Sequence, residues 1–139
     1  DRVVFLVKNR ISHMIVGAVG RALNKNDFPK WFMYGNKDVP FKCGDCNDAV
    51  IVEDCPSACA VSNILTGIAI MGTKLKSIQK SHLKPYKNLY ICLDRDATTK
   101  AYDMAKDLRS SGFDNVIVKP LEDDLKYYDT EQVRKIFYG

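Results

Sequence analysis

The chain has 139 residues, 46% hydrophobic and 27% charged, with 21 basic against 17 acidic side chains and a net charge of +4. This is the size and composition of one folded domain with a core of its own, not of a disordered tract. No apolar run approaches the roughly 20 residues of a membrane span, and no signal-peptide pattern opens the chain, so a cytoplasmic protein with no membrane partner is expected.

The charge is unevenly spread. Residues 1–42 carry eight basic and three acidic side chains, and Lys74, Lys76, Lys80, Lys84 and Lys87 follow with no acid among them. A basic front half with an acidic group behind it suits a polyanion held near a cation site, although a lysine-rich solvated surface would look the same. The chain opens at Asp1 directly in a strand-like run and reads as a piece of a longer protein.

Taken in order, Arg2–Lys8 is β-branched and aromatic enough for a strand. A short connection at Asn9–His13 leads to a second strand over Met14–Leu23, which predicts a hairpin. Residues 24–46, rich in Asn, Asp, Gly, Pro and Lys, predict irregular backbone. From residue 49 strands and helices alternate. Ala49–Glu53 predicts a strand, Pro56 sits at the start of a helix with Ala58, Val61, Ile64 and Leu65 at helical spacing, and Gly67–Met71 predicts a second strand. Thr73 would cap a lysine-rich helix ending near Leu83. Asn88–Leu93 predicts a third strand, Ala101, Met104, Ala105 and Leu108 mark a helix face, Asn115–Lys119 a fourth strand, and Thr130–Phe137 a closing helix. Such alternation implies a parallel sheet covered on both faces.

Five cysteines are an odd number. Cys43-Gly-Asp-Cys46 resembles half of a zinc site whose complement would be Cys55 and Cys59. Cys59 should face the core from its helix, and free thiols in a reducing compartment are the simpler reading.

In a parallel sheet, functional groups gather at the carboxyl ends of the strands. Glu53 ends the first strand of the alternating half and Asp94-Arg95-Asp96 ends the third. Side chains two apart on an extended segment point the same way, so Asp94 and Asp96 are expected to face one site. Converging carboxylates repel unless a hard cation such as Mg²⁺ or Mn²⁺ joins them, and such a cation can orient phosphate oxygens. Either motif alone would more often be a helix cap or a solvated loop; the joint arrangement shifts the balance.

In order and spacing, Val50-Ile-Val-Glu-Asp54, Gly67-Ile-Ala-Ile-Met-Gly-Thr73 and Leu93-Asp-Arg-Asp-Ala97 resemble the TOPRIM domain of primases, topoisomerases and several nucleases. The resemblance runs from about Asp48 to Phe137 and maps the family's glutamate onto Glu53 and its Asp-x-Asp pair onto Asp94 and Asp96. The front segment, with Gly20-Arg21 and Pro29-Lys30-Trp31, is similar to the basic subdomain that precedes TOPRIM in DnaG-type primases. The implied fold is α/β: a TOPRIM-like, mostly parallel four-stranded sheet flanked by helices over residues 48–139, preceded by a small basic β-hairpin and loop subdomain over residues 1–47.

The resemblance also implies an activity, namely synthesis of short RNA primers on a single-stranded DNA template from ribonucleoside triphosphates, with a replicative helicase as partner. It implies Glu53, Asp94 and Asp96 as catalytic metal ligands, with Asp54 and Asp124 as further candidates for Mg²⁺ or Mn²⁺. Arg21, Lys30, Trp31, Lys37 and Lys74 become the candidates for contact with nucleic acid or nucleotide. Several positions depart from the pattern. Asp54 replaces the usual glycine after the glutamate, Ser57 replaces an acid, and Thr98 or Thr99 replaces a glycine, which suggests a divergent phage lineage. Asp54 could equally cap the following helix, Asp124 could lie in a solvated turn, and Trp31 could simply pack. A TOPRIM nuclease or nicking enzyme, and a nucleic-acid-binding remnant with a decayed site, are the competing functions.

Overall fold

The computed structural model describes all residues, 1–139. Three strands form an antiparallel sheet in the order β1 (Arg2–Lys8), β2 (Ile15–Ala22), β3 (Trp31–Gly35). The β1–β2 connection is closed by Asn9, whose Oδ1 accepts from the amides of Ile11 and Ser12 at 2.9 and 3.0 Å. The expected hairpin is therefore the first two-thirds of a larger sheet. Trp31–Gly35 was hidden by the turn-forming residues on either side of a five-residue aromatic run.

A second, five-stranded sheet runs β4 (Phe41–Cys43), β6 (Thr66–Ala69), β5 (Ala49–Val52), β7 (Leu89–Ile91), β8 (Val116–Val118). The four strands β6, β5, β7 and β8 pair in parallel, as alternation with helices dictates. The fifth, β4, pairs antiparallel with β6 and corrects the expected count of four. Phe41–Cys43 thus joins the sheet of the second half although it precedes residue 47.

Strand β5 shows why the sheet is buried on both sides. Val50 and Val52 point into one apolar cluster with Val61, Leu65, Tyr90, Leu125 and Phe137, while Ala49 and Ile51 point into another with Ile68, Leu89, Ile91, Met104 and Leu108. Helix α1 (Cys55–Ala60) and the closing helix α3 (Thr130–Tyr138) cover the first face, and α2 (Thr98–Ser110) covers the second. Phe5, Val7, Val19 and Trp31 of the small sheet extend the first cluster, so the two sheets share a core.

One expectation fails for a local reason. The lysine-rich segment forms only a 3₁₀ turn over Ser77–Leu83, which buries just Gln79 and Leu83 and is followed by Pro85, which cannot continue a helix. Cys59 packs half-buried against the first core cluster, as expected, beside the fully buried Cys55, and all five cysteines are free. Burial, with the neighbouring Cys43 thiol, pushes the Cys59 thiol up to about 12. No helix is long and apolar enough to cross a membrane.

Candidate metal centre

Strand β5 ends at Val52 and delivers Glu53 to the carboxyl edge of the sheet; β7, its hydrogen-bonded neighbour, ends at Ile91 and delivers Asp94 to the same edge. The Asp94 amide donates to Glu53 Oε1 at 3.3 Å. Asp124 arrives from the segment between β8 and α3, just before a 3₁₀ turn over Leu125–Tyr127. Burial pushes the Asp94 carboxyl up to about 8, helped by hydrogen bonding to the carboxyls of Glu53 and Asp124 and by their charge. Three carboxyl groups from three distant segments are thus close enough to act on one another's charge. Cys92 lies beneath them, its thiol pushed up to about 12 by burial and then by Asp94 and Asp124.

The rim is held by Lys126. Its ammonium lies 3.3 Å from Asp54 Oδ2 and 3.4 Å from Asp124 Oδ2. Burial works against that charge, but Asp54 and Asp124 outweigh it and keep Lys126 more firmly protonated than usual. The other oxygen of Asp54 caps α1, accepting from the Ser57 amide at 2.9 Å. Both carboxylate oxygens of Asp54 are thus engaged, one by a helix end and one by a lysine.

Asp96 stands apart. The strand has ended before it is reached, and Arg95–Ala97 is a 3₁₀ turn, so the two-residue alternation that would aim Asp94 and Asp96 together does not operate. Asp96 is exposed at the entry to α2 and makes no ion pair. Spacing put Glu53 and Asp94 at strand ends and the resemblance supplied Asp124, but neither pointed to Lys126, whose partner Asp54 is 72 residues away and leaves no local pattern.

The donor set is all oxygen and all acidic, which suits a hard divalent cation. No group of three or more His, Cys, Asp or Glu side chains is arranged to hold a metal ion, so the carboxyls do not make a ready-formed site. The zinc expectation for Cys43, Cys46, Cys55 and Cys59 gains nothing, since no cysteine group with ligating geometry forms either.

The basic candidates fall into separate places. Arg21 of β2 and Trp31 of β3 are directly paired, with the guanidinium carbon 5.1 Å above the indole ring. Phe5 packs on the same indole, with ring centroids 6.3 Å apart, so Trp31 is occupied in packing. Arg21 and Lys30 line one cleft of about 420 Å³ together with Asn24, Lys25 and Phe28. Lys74 is elsewhere, in a cleft of about 250 Å³ shared with Lys100, Asp103 and Asp107, and Lys37 is exposed in the turn after β3. A larger cavity of about 530 Å³ lies between the β1–β2 hairpin and β4, and neither Glu53, Asp94 nor Asp124 lines it.

No family model matches the sequence, and no curated protein matches it. Among solved structures, the zinc-binding and RNA polymerase domains of Aquifex aeolicus primase match with a TM-score of 0.71 and 25% identity, covering 98% of this chain and 37% of that one. The chain thus spans little more than a third of the length of that structure. A mixed α/β fold with a five-stranded, mostly parallel sheet and a three-stranded antiparallel sheet is, over nearly all of its length, a primase-like fold.

Proposed function

We propose that this chain is the catalytic core of a DnaG-type DNA primase with a TOPRIM domain, making short RNA primers on single-stranded DNA by metal-dependent nucleotidyl transfer. The observation that carries the reading is the convergence of Glu53, Asp94 and Asp124 at the carboxyl edge of a primase-like sheet. Carboxylates that a hard cation can bridge are what a polyphosphate substrate requires.

In this reading Glu53, Asp94 and Asp124 would hold Mg²⁺ or Mn²⁺, with the exposed Asp96 as a further carboxylate free to join them. When bound, the cation supplies charge neutralisation and orientation for the phosphates of the incoming ribonucleotide. The chain's own residues do the rest. Glu53 fixes the loop after β7 through the Asp94 amide. Arg21 and Lys30 hold the polyanion by charge, the guanidinium as a planar fork and the ammonium as a point charge. A replicative helicase, as a separate or attached unit, would supply the template.

Pyrophosphate release from ribonucleoside triphosphates tests the reading. It should require both single-stranded DNA and Mg²⁺ or Mn²⁺. Nicking of plasmid under the same conditions, with no pyrophosphate, would place the carboxylates in a nuclease instead.

A further inference from the structure

We propose that Phe28 is a base-stacking residue: it takes the face of one unpaired nucleobase while Arg21, Lys25 and Lys30 around it hold the phosphates of the same single strand. The inference rests on the reading of this cleft as the nucleic-acid contact of a primase core, and deepens it by giving the bases a place.

The sequence put stacking on Trp31, but the fold takes that residue out of use. Its indole packs on Phe5 with ring centroids 6.3 Å apart and lies beneath the Arg21 guanidinium. Phe28, three residues earlier, is the reverse case. It is 92% exposed, the most exposed of the large hydrophobic side chains, and forms no aromatic pair. A lone apolar side chain in water is ordinary on a protein surface. What sets Phe28 apart is its position, in the cleft of about 420 Å³ that Arg21, Lys25 and Lys30 also line.

None of those three cations makes an ion pair. The acid among them, Asp27, accepts from the Asn24 side-chain amide at 3.4 Å. The cleft thus offers uncommitted positive charge and a bare aromatic face together. That combination binds single strands, because cations track the phosphates while a ring takes a base whatever its identity. A protein partner fits worse, since the cores of protein interfaces are depleted in lysine. A duplex fits worse too, since its bases are held inside the stack.

The test is binding of a labelled oligothymidylate of roughly ten nucleotides, and of an abasic strand of equal length, by the wild-type chain, Phe28→Ala, Phe28→Leu and Phe28→Trp across a salt series. Stacking releases no counterions, so Phe28→Ala should bind oligothymidylate about tenfold more weakly with an unchanged salt slope. It should bind the abasic strand as the wild type does. Phe28→Leu should be as weak as Phe28→Ala, and Phe28→Trp should keep wild-type affinity. Because the ring touches so little of the fold, Phe28→Ala should share the wild-type Tm, which separates lost stacking from misfolding. An equal drop for both strands, a changed slope, or undiminished affinity in Phe28→Ala overturns the proposal. So does normal strand binding with lost self-association, which would assign the ring to a contact between copies. Pyrophosphate release, followed in parallel, keeps the two readings apart. Base-dependent binding through Phe28 without pyrophosphate release supports this inference and overturns the primase reading; pyrophosphate release with binding indifferent to Phe28 does the reverse.

Discussion

The amide of Asp94 donates to Glu53 Oε1 at 3.3 Å, so one carboxylate both belongs to the acidic cluster and anchors the loop that carries the cluster's next member. The two roles separate by substitution. Glu53→Gln keeps an oxygen that can accept from the Asp94 amide but loses the negative charge. It should therefore melt within a few degrees of wild type while losing about two orders of magnitude or more of primer synthesis. Glu53→Ala should lose both the activity and some stability, because the amide of Asp94 is left without its acceptor.

Stability should depend on pH through the Asp94 carboxyl. In the unfolded chain the Asp94 carboxyl titrates near ~3.9; in the folded protein burial and its two carboxyl neighbours push it up to about 8. Between those values the folded state holds a proton that the unfolded state has lost, so its contribution to stability is complete below pH 4 and declines as pH rises to 8. Melting temperature of the metal-free chain should fall across that window. Mg²⁺ should restore it most at the alkaline end, and Asp94→Asn should flatten the profile.

Gly67 of β6 lies against the backbone of α1. A methyl group there would stand 2.5 Å from Ala58 Cα, and the neighbour is helix backbone that cannot rotate away. Gly67→Ala should destabilise the fold by about 3 kcal/mol, seen as a lower denaturant midpoint. Because α1 begins at Asp54, beside Glu53, the same change should weaken Mn²⁺ binding in whatever fraction remains folded.

Arg21 and Lys30 share one cleft, whereas Lys74 and Lys37 lie elsewhere. If the cleft carries the template, Arg21→Ala and Lys30→Ala should each lower the slope of log affinity against log salt by roughly 0.7, measured with a labelled single strand. Lys37→Ala should leave the slope unchanged. Arg21→Ala should also lower stability, since Trp31 loses the guanidinium above its ring.

Periodicity made the second half of the chain legible. Val50, Val52, Ala101, Met104, Ala105 and Leu108 recur at the spacing of the elements they form, and all are buried. It failed where an element is short or borrowed. Phe41–Cys43 is three residues long and is a strand only because β6 offers an edge to pair with. The site divides in the same way. Glu53 and Asp94 lie at strand ends that alternation locates, but the position of Asp96 turns on where β7 stops, which no two-residue rule reveals. Lys126 meets Asp54 only because the segment after β8 folds back over α1.

The most direct test of the account is RNA synthesis on single-stranded DNA with labelled ribonucleotides and Mn²⁺, resolved by size, for the wild-type chain beside Asp94→Asn and Asp124→Asn. The account predicts short, template-dependent RNA from the wild type and none from either variant, with both variants folded by circular dichroism. Undiminished RNA synthesis by Asp94→Asn and Asp124→Asn would contradict it, because the carboxyls that meet in this fold would then not be the ones that hold the metal.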